Sequence, residues 1–450
     1  MPSLPLLARS VPPLLALALS AGPVRAGQWS SFRGDNGAGV GDGDPPVSWN
    51  VATGENVVWK AKVEGLANAS PIIWENRVFL ATAVSSLADP KQEADPTWGR
   101  GIIDDQAEWT WKVICLDTAT GKRIWEKEAR TGVPRQKRHS EATHANCTPA
   151  TDGKYVVSMF GSEGLYCHTV EGDFVWKKDF GLLRSGPADQ PDLEWGFSNS
   201  PIIYKDTVVM ECGVLEDPFI AILDLKSGQE KRRIQRRDLP TWSTPTVHDF
   251  GQGPQLLCNG YKHIGGYDLN SGAELWRLHG KGDIPVPRPI VAEGLIFISS
   301  AHKGRSLFAV KPEARGDITP GDGETGSKGL AWWTFKESSY MPVPLVYDGI
   351  LYLGDERGLL SAFDAATGKV HYSQQRLVEG EGARYYASPV AAGGKIYFPN
   401  LTGQVRVVRA GRIFERLASN AMGESCFASP ALQGDRLFIR TKQHLYCLGK

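Results

Sequence analysis

Short apolar runs rich in β-branched and aromatic residues alternate with polar turn clusters along nearly the whole chain, which predicts strands rather than helices. The unit is clearest at Cys115-Leu-Asp-Thr-Ala-Thr-Gly-Lys-Arg-Ile-Trp125. It reads as the end of one strand, a tight turn over Asp117 to Gly121, and a second strand carrying Trp125. Asp and Thr side chains bond the turn backbone, and glycine supplies the positive φ a hairpin needs. The chain repeats this phrase at Gly266–Trp276, Ala362–Tyr372 and Ile222–Gly228, and in degenerate form at Cys167–Trp176.

A second phrase precedes each copy: a small residue, a proline, an apolar run, a turn and another β-rich run. Its prolines are Pro71, Pro149, Pro201, Pro245, Pro289, Pro344, Pro389 and Pro430, spaced by 78, 52, 44, 44, 55, 45 and 41 residues. A period of roughly 40 to 50 residues with four strands per repeat predicts the blades of a β-propeller, here all-β and eight-bladed. The innermost strand of a blade has one edge facing the channel, so a proline at its start costs little. Trp59, Trp125, Trp176 and Trp276 fall in outermost strands, where each can bury its ring against the next blade.

The two ends of the repeat are complementary. Glu55–Val63 matches a fourth strand with no first three before it, whereas the repeat opened by Pro430 stops after three strands. The first ribbon is therefore expected to complete the last blade and close the ring. Residues 27–54, rich in Gly, Pro and Asp, read as an irregular arm, and residues 55–450 as the propeller. Two insertions interrupt the rhythm. Ser85–Thr110 should overhang the face where the links between blades converge; Lys311–Gly329 and the arm should lie on the opposite face.

Composition adds a compartment. Residues 1–26 carry Arg9, an apolar stretch from Val11 to Ala21 and Val24-Arg25-Ala26, the pattern of a secretory signal peptide, so a periplasmic or secreted location is expected. No apolar run is long enough to span a membrane. Lys plus Arg and Asp plus Glu number 50 each, without the basic stripe that nucleic acid requires. Seven cysteines are an odd number, and they are expected as buried free thiols rather than a disulfide framework.

Candidate chemistry gathers on the link face. His139, His144, Trp195, Trp242, Lys262, Arg288, His302, Tyr340, Tyr385 and Tyr386 are the expected ligand-binding residues around a funnel of aromatics and cations. His139, Glu141 and His144 fit no zinc spacing well, and a solvated link is the expected reading. No motif nominates a nucleophile or general base.

The repeated Asp-x-x-Thr/Ser-Gly-x-x-x-Trp turn resembles the tryptophan-docking repeat of pyrroloquinoline-quinone-type eight-bladed propellers, over residues 55–450. That group includes quinoprotein alcohol dehydrogenases and the propeller lipoprotein of the bacterial outer-membrane β-barrel assembly machinery. Trp29–Gly34, Asn259–Lys262 and the ending from Cys426 to Tyr446 are similar to secreted propellers of planctomycete-type bacteria. The dehydrogenase branch implies a quinone in the funnel, calcium on acidic and amide side chains, an aspartate base and a disulfide between adjacent cysteines. This sequence has no adjacent cysteine pair and no motif matching those calcium ligands. The assembly branch implies a non-catalytic, lipid-anchored scaffold, but no cysteine follows the apolar stretch here.

The expected function is an exported non-catalytic binding or scaffold propeller that engages a protein or small-molecule ligand at the funnel face. A pyrroloquinoline-quinone-dependent oxidoreductase is the alternative, with that cofactor implied by resemblance alone. Carbohydrate binding through Trp98, Trp109 and Trp111 is a second alternative.

Overall fold

The computed structural model describes residues 28–92, 101–321, 323–324, 326–378 and 384–450. The residues of the expected signal peptide and Trp98 lie outside them. Eight antiparallel sheets are arranged as blades, and no α-helix occurs among the described residues. Blade one runs outward through Ile72–Trp74, Arg77–Ser85, Trp109–Asp117 and Arg123–Gly132. In all eight blades the innermost strand begins one residue after a repeat proline, at Ile72, Ala150, Ile202, Thr246, Ile290, Leu345, Val390 and Ala431.

Val57–Lys62 forms the outermost strand of blade eight, with Trp59 opposite Cys447 and Lys60 opposite Tyr446. The ring is closed by strand pairing, which removes the free edge that an incomplete last blade would expose.

Between the third and fourth strands of every blade the register slips by one residue just ahead of the tryptophan position. Cys115 faces Trp125 but Leu116 faces Arg123, and Cys447 faces Trp59 but Leu448 faces Val57. The same slip recurs in the other six blades. Such a bulge sharpens local twist and re-aims the side chain that follows it. In four blades that side chain is an indole hydrogen-bonded to the next blade. Nε1 of Trp59, Trp125, Trp176 and Trp332 donates to the carbonyls of Thr118, Val170, Leu225 and Ala365 at 2.8–3.0 Å. Each ring lies on the turn glycine of that blade, Gly121, Gly172, Gly228 or Gly368, with no room for a Cβ.

Trp276 packs against the next blade, as expected, but is not docked by a hydrogen bond. It is fully buried, but its Nε1 has no partner, because blade five replaces the repeat turn with the 311–329 insertion. There Gly316-Asp317 pairs with Trp276-Arg277 as an added strand instead. Trp332, absent from the expected set, is a docked tryptophan.

All seven cysteines are free and buried. The described parts of both insertions take their expected places. Ile102–Ile103 pairs with Arg138–His139 on the link face, whereas Pro312 O receives Gln255 Nε2 from the opposite side of blade four.

The arm lies opposite the link face, as expected, but it also crosses the axis. Gln28–Trp29 adds to the inner edge of blade one, Phe32–Arg33 pass through the channel, and Val40 pairs with Ala391 of blade seven. Gly43 then packs on the backbone of Gly434, and Asp44 meets Lys395 and the backbone of Gly393.

Candidate functional site

With its lower end filled by the arm, the channel is a funnel that opens on the link face. The cavity has a volume of about 470 Å³, and Phe32 forms part of its floor. Around Phe32 stand the residues that precede the repeat prolines. Their hydroxyls link blade to blade: the N–H groups of Ser70, Thr148 and Ser200 donate to Thr148, Ser200 and Thr244 at 2.9–3.0 Å. Val343, Ser388 and Ser429 donate likewise to Ser388, Ser429 and Ser70 at 2.8–3.1 Å. The ring is interrupted where Arg288 and Val343 replace the hydroxyl residue. Arg288 and Arg33 fill that gap.

The wall has an aromatic side and an ionic side. Trp195 and Trp242 lie 5.5 Å apart between centroids, and Trp242 Nε1 donates to Gly196 O. His139 meets Trp195 edge-on. His302 stacks on Tyr340 and its Nδ1 lies 3.0 Å from Asp283. Facing them, Arg384 donates to one oxygen of Glu141 at 2.6 Å, and the Tyr386 hydroxyl donates to the other at 3.2 Å. Arg357 is held by Asp355. Burial pushes the Tyr386 phenol up to about 12 and raises the Glu356 carboxyl. In both, burial disfavours the charged form.

Six of the ten expected residues line this cavity: His139, Trp195, Trp242, His302, Tyr340 and Tyr386. Four do not. His144 is buried under the first insertion, where its Nε2 is 2.8 Å from Asp105 and burial lowers its pKa. Lys262 is exposed outside the wall, its backbone N–H held by Asp238. Tyr385 points away from the cavity into the core and lies against Gly358, since successive residues of an extended link face opposite ways. Arg288 is the largest correction. It is 2 % exposed, and its guanidinium is held by Phe32 O, Pro245 O and the Thr246 hydroxyl. It borders a second cavity of about 270 Å³ on the opposite face.

The sugar-binding alternative loses two of its residues. Trp109 and Trp111 are fully buried, edge-on to His144, and present no face to a ligand. The sequence marked the pre-proline positions only as small residues and assigned no role to Phe32. Their signal was the fixed position before each proline.

The donor set does not fit the calcium of the dehydrogenases. Among the described residues no three His, Cys, Asp or Glu side chains converge as cation ligands. Glu141 and Asp355 are taken up by Arg384 and Arg357, and the cysteines are buried singly.

The fold is shared with solved structures of low sequence identity. The quinohemoprotein alcohol dehydrogenase from Comamonas testosteroni superposes with a TM-score of 0.60 at 12% identity, over 94% of this chain and 80% of that one. A europium-containing methanol dehydrogenase gives 0.59 at 10% identity, over 94% and 98%. The computationally designed protein Ika8 gives 0.53 at 12% identity, over 86% and 100%. No curated protein matches the sequence. A family match covers residues 16–178 and 260–449, most of the chain, and by it the chain belongs to the propeller family described as "Outer membrane protein assembly factor BamB".

Proposed function

We propose that this chain is an exported, non-catalytic binding propeller that takes a protein segment or small molecule into the funnel on its link face. One observation carries the reading. The ionisable groups of the wall are largely paired with one another, while Trp195, Trp242, Tyr340 and His302 border open space. Aromatic faces beside a few fixed polar groups suit recognition, whereas catalysis needs an acid, base or nucleophile poised for substrate. The family description as an assembly factor supports a protein partner. The signal-like pattern of residues 1–26 supports export to the periplasm or beyond the cell.

The test is capture from a periplasmic or secreted extract, together with a small-molecule screen read by tryptophan fluorescence. Trp195→Ala and Trp242→Ala should each weaken binding about tenfold or more. Unchanged binding in both variants would sink the reading. Dye reduction with alcohols or sugars after adding pyrroloquinoline quinone and calcium would replace it with an oxidoreductase.

A further inference from the structure

The floor of the funnel combines unused hydrogen-bond donors with positive charge that lacks a counter-ion. Ser70, Thr148, Ser200, Thr244, Ser388 and Ser429 all border the cavity, yet each is only 2–4 % exposed. Each hydroxyl oxygen already accepts a backbone N–H from a neighbouring blade, which leaves its O–H as a donor. None of the six donates to a protein acceptor among the described residues.

Beside them lie two buried guanidinium groups. Arg33 donates only to carbonyls, those of Gly37, Ala38, Val343, Pro344 and Pro389. Arg288 donates to Phe32 O, Pro245 O and the Thr246 hydroxyl. No carboxylate of the described residues forms an ion pair with either. Burial, and for Arg33 also the charge of Arg288, brings both down to about 9, so both remain cationic at neutral pH.

Buried charge is costly unless something compensates it, and backbone dipoles do so only in part. Water would satisfy the hydroxyls but not the charge. We propose that the axial floor of the funnel is an anion site, where the hydroxyl ring above Arg33 and Arg288 takes a carboxylate or phosphoryl group. The inference deepens the proposed function and rests on it for placing a ligand in the funnel. It is tested without that ligand.

Thermal unfolding of the whole chain is followed against inorganic phosphate at constant ionic strength. The unaltered chain should gain about 2 °C or more at saturation. Ser200→Ala and Ser388→Ala, on opposite sides of the ring, should each weaken the phosphate response several-fold. Phenyl phosphate binding about tenfold tighter than inorganic phosphate identifies the anionic end of an organic ligand; equal binding identifies a free anion. No phosphate response in the unaltered chain, or an undiminished one in both variants, overturns the site. Should the variants not fold, bromide soaked into crystals of the unaltered chain decides. Anomalous scattering at the axis beside Phe32 supports the site, and its absence overturns it. Loss of ligand binding in Trp195→Ala with the phosphate response intact bears on the proposed function alone.

Discussion

Arg384 reaches across the funnel to Glu141, with its Nη1 2.6 Å from Oε1. One residue comes from the link that enters blade seven and the other from the link that enters blade two. The segments carrying Phe427 and Asn68 lie between them in the ring. The side chains are 18% and 10% exposed, so the pair is shielded from solvent, and Tyr386 adds a second bond to the same carboxylate. It sets the width of the mouth on its ionic side.

Removing one partner should therefore cost more than removing both. Arg384→Met leaves a shielded carboxylate without its cation and should lower stability by about 1–3 kcal/mol. Adding Glu141→Gln should recover most of that loss. Urea denaturation of the two variants measures the difference, and equal losses would show the pair to be solvated.

The tryptophans should separate into two classes. Trp176→Phe and Trp332→Phe each strand a carbonyl of the adjacent blade, a loss of about 1 kcal/mol beyond the change in ring size. Trp276→Phe removes an indole N–H that has no partner, so it should cost less than either. Chemical denaturation of the three variants tests the ordering.

Two glycines of equal conformation isolate the effect of docking. Gly228 and Gly349 both sit at φ 70°. A Cβ at Gly228 would lie 2.6 Å from the Trp176 ring, whereas one at Gly349 would meet nothing within 4 Å. Gly349→Ala should cost about 1 kcal/mol for the left-handed backbone alone. Gly228→Ala should cost at least about 1 kcal/mol more, because the indole must move. Similar melting temperatures for the two variants would count against docking as a source of stability.

Glu211 gives the protein a pH dependence opposite to that of ordinary paired carboxylates. It is fully buried between blades three and four, and among the described residues neither carboxylate oxygen has a hydrogen-bond partner. Arg236 stands 3.5 Å away and is shared with Asp238 and Tyr267, while Cys258 lies alongside. Burial outweighs the attraction of Arg236 and raises the Glu211 pKa from 4.5 to about 7. Between those values the folded chain holds a proton that the unfolded chain has released. Its contribution is thus complete below 4.5 and is lost as pH rises through 7. The stability of Glu211→Gln relative to the unaltered chain should rise by about 2–3 kcal/mol from pH 5 to pH 8. A constant difference across that range would refute the shift.

The ring architecture was legible because each of its signals is local. Proline, turn glycine and outer-strand tryptophan recur at fixed offsets, and each acts through its own backbone geometry or through the blade next to it. Closure by residues 57–62 was legible for the same reason, since a lone fourth strand and a three-stranded end can be matched by pattern. The funnel wall was legible in part: the links that converge follow from strand alternation, but the direction of each side chain does not. Tyr385 and Tyr386 are adjacent in sequence, yet one faces the core and the other the cavity.

By itself, then, the sequence determined the number of blades, their order, the closing strand and the face on which the links gather, because periodic patterning encodes nearest-neighbour packing. Tertiary structure alone decided that the arm threads the axis and that Arg288 serves its carbonyls rather than the rim. It also decided that Glu141 and Arg384 meet across the mouth. These contacts join residues more than 200 positions apart, and no local periodicity records them; they exist only once eight blades bring distant links to a common centre.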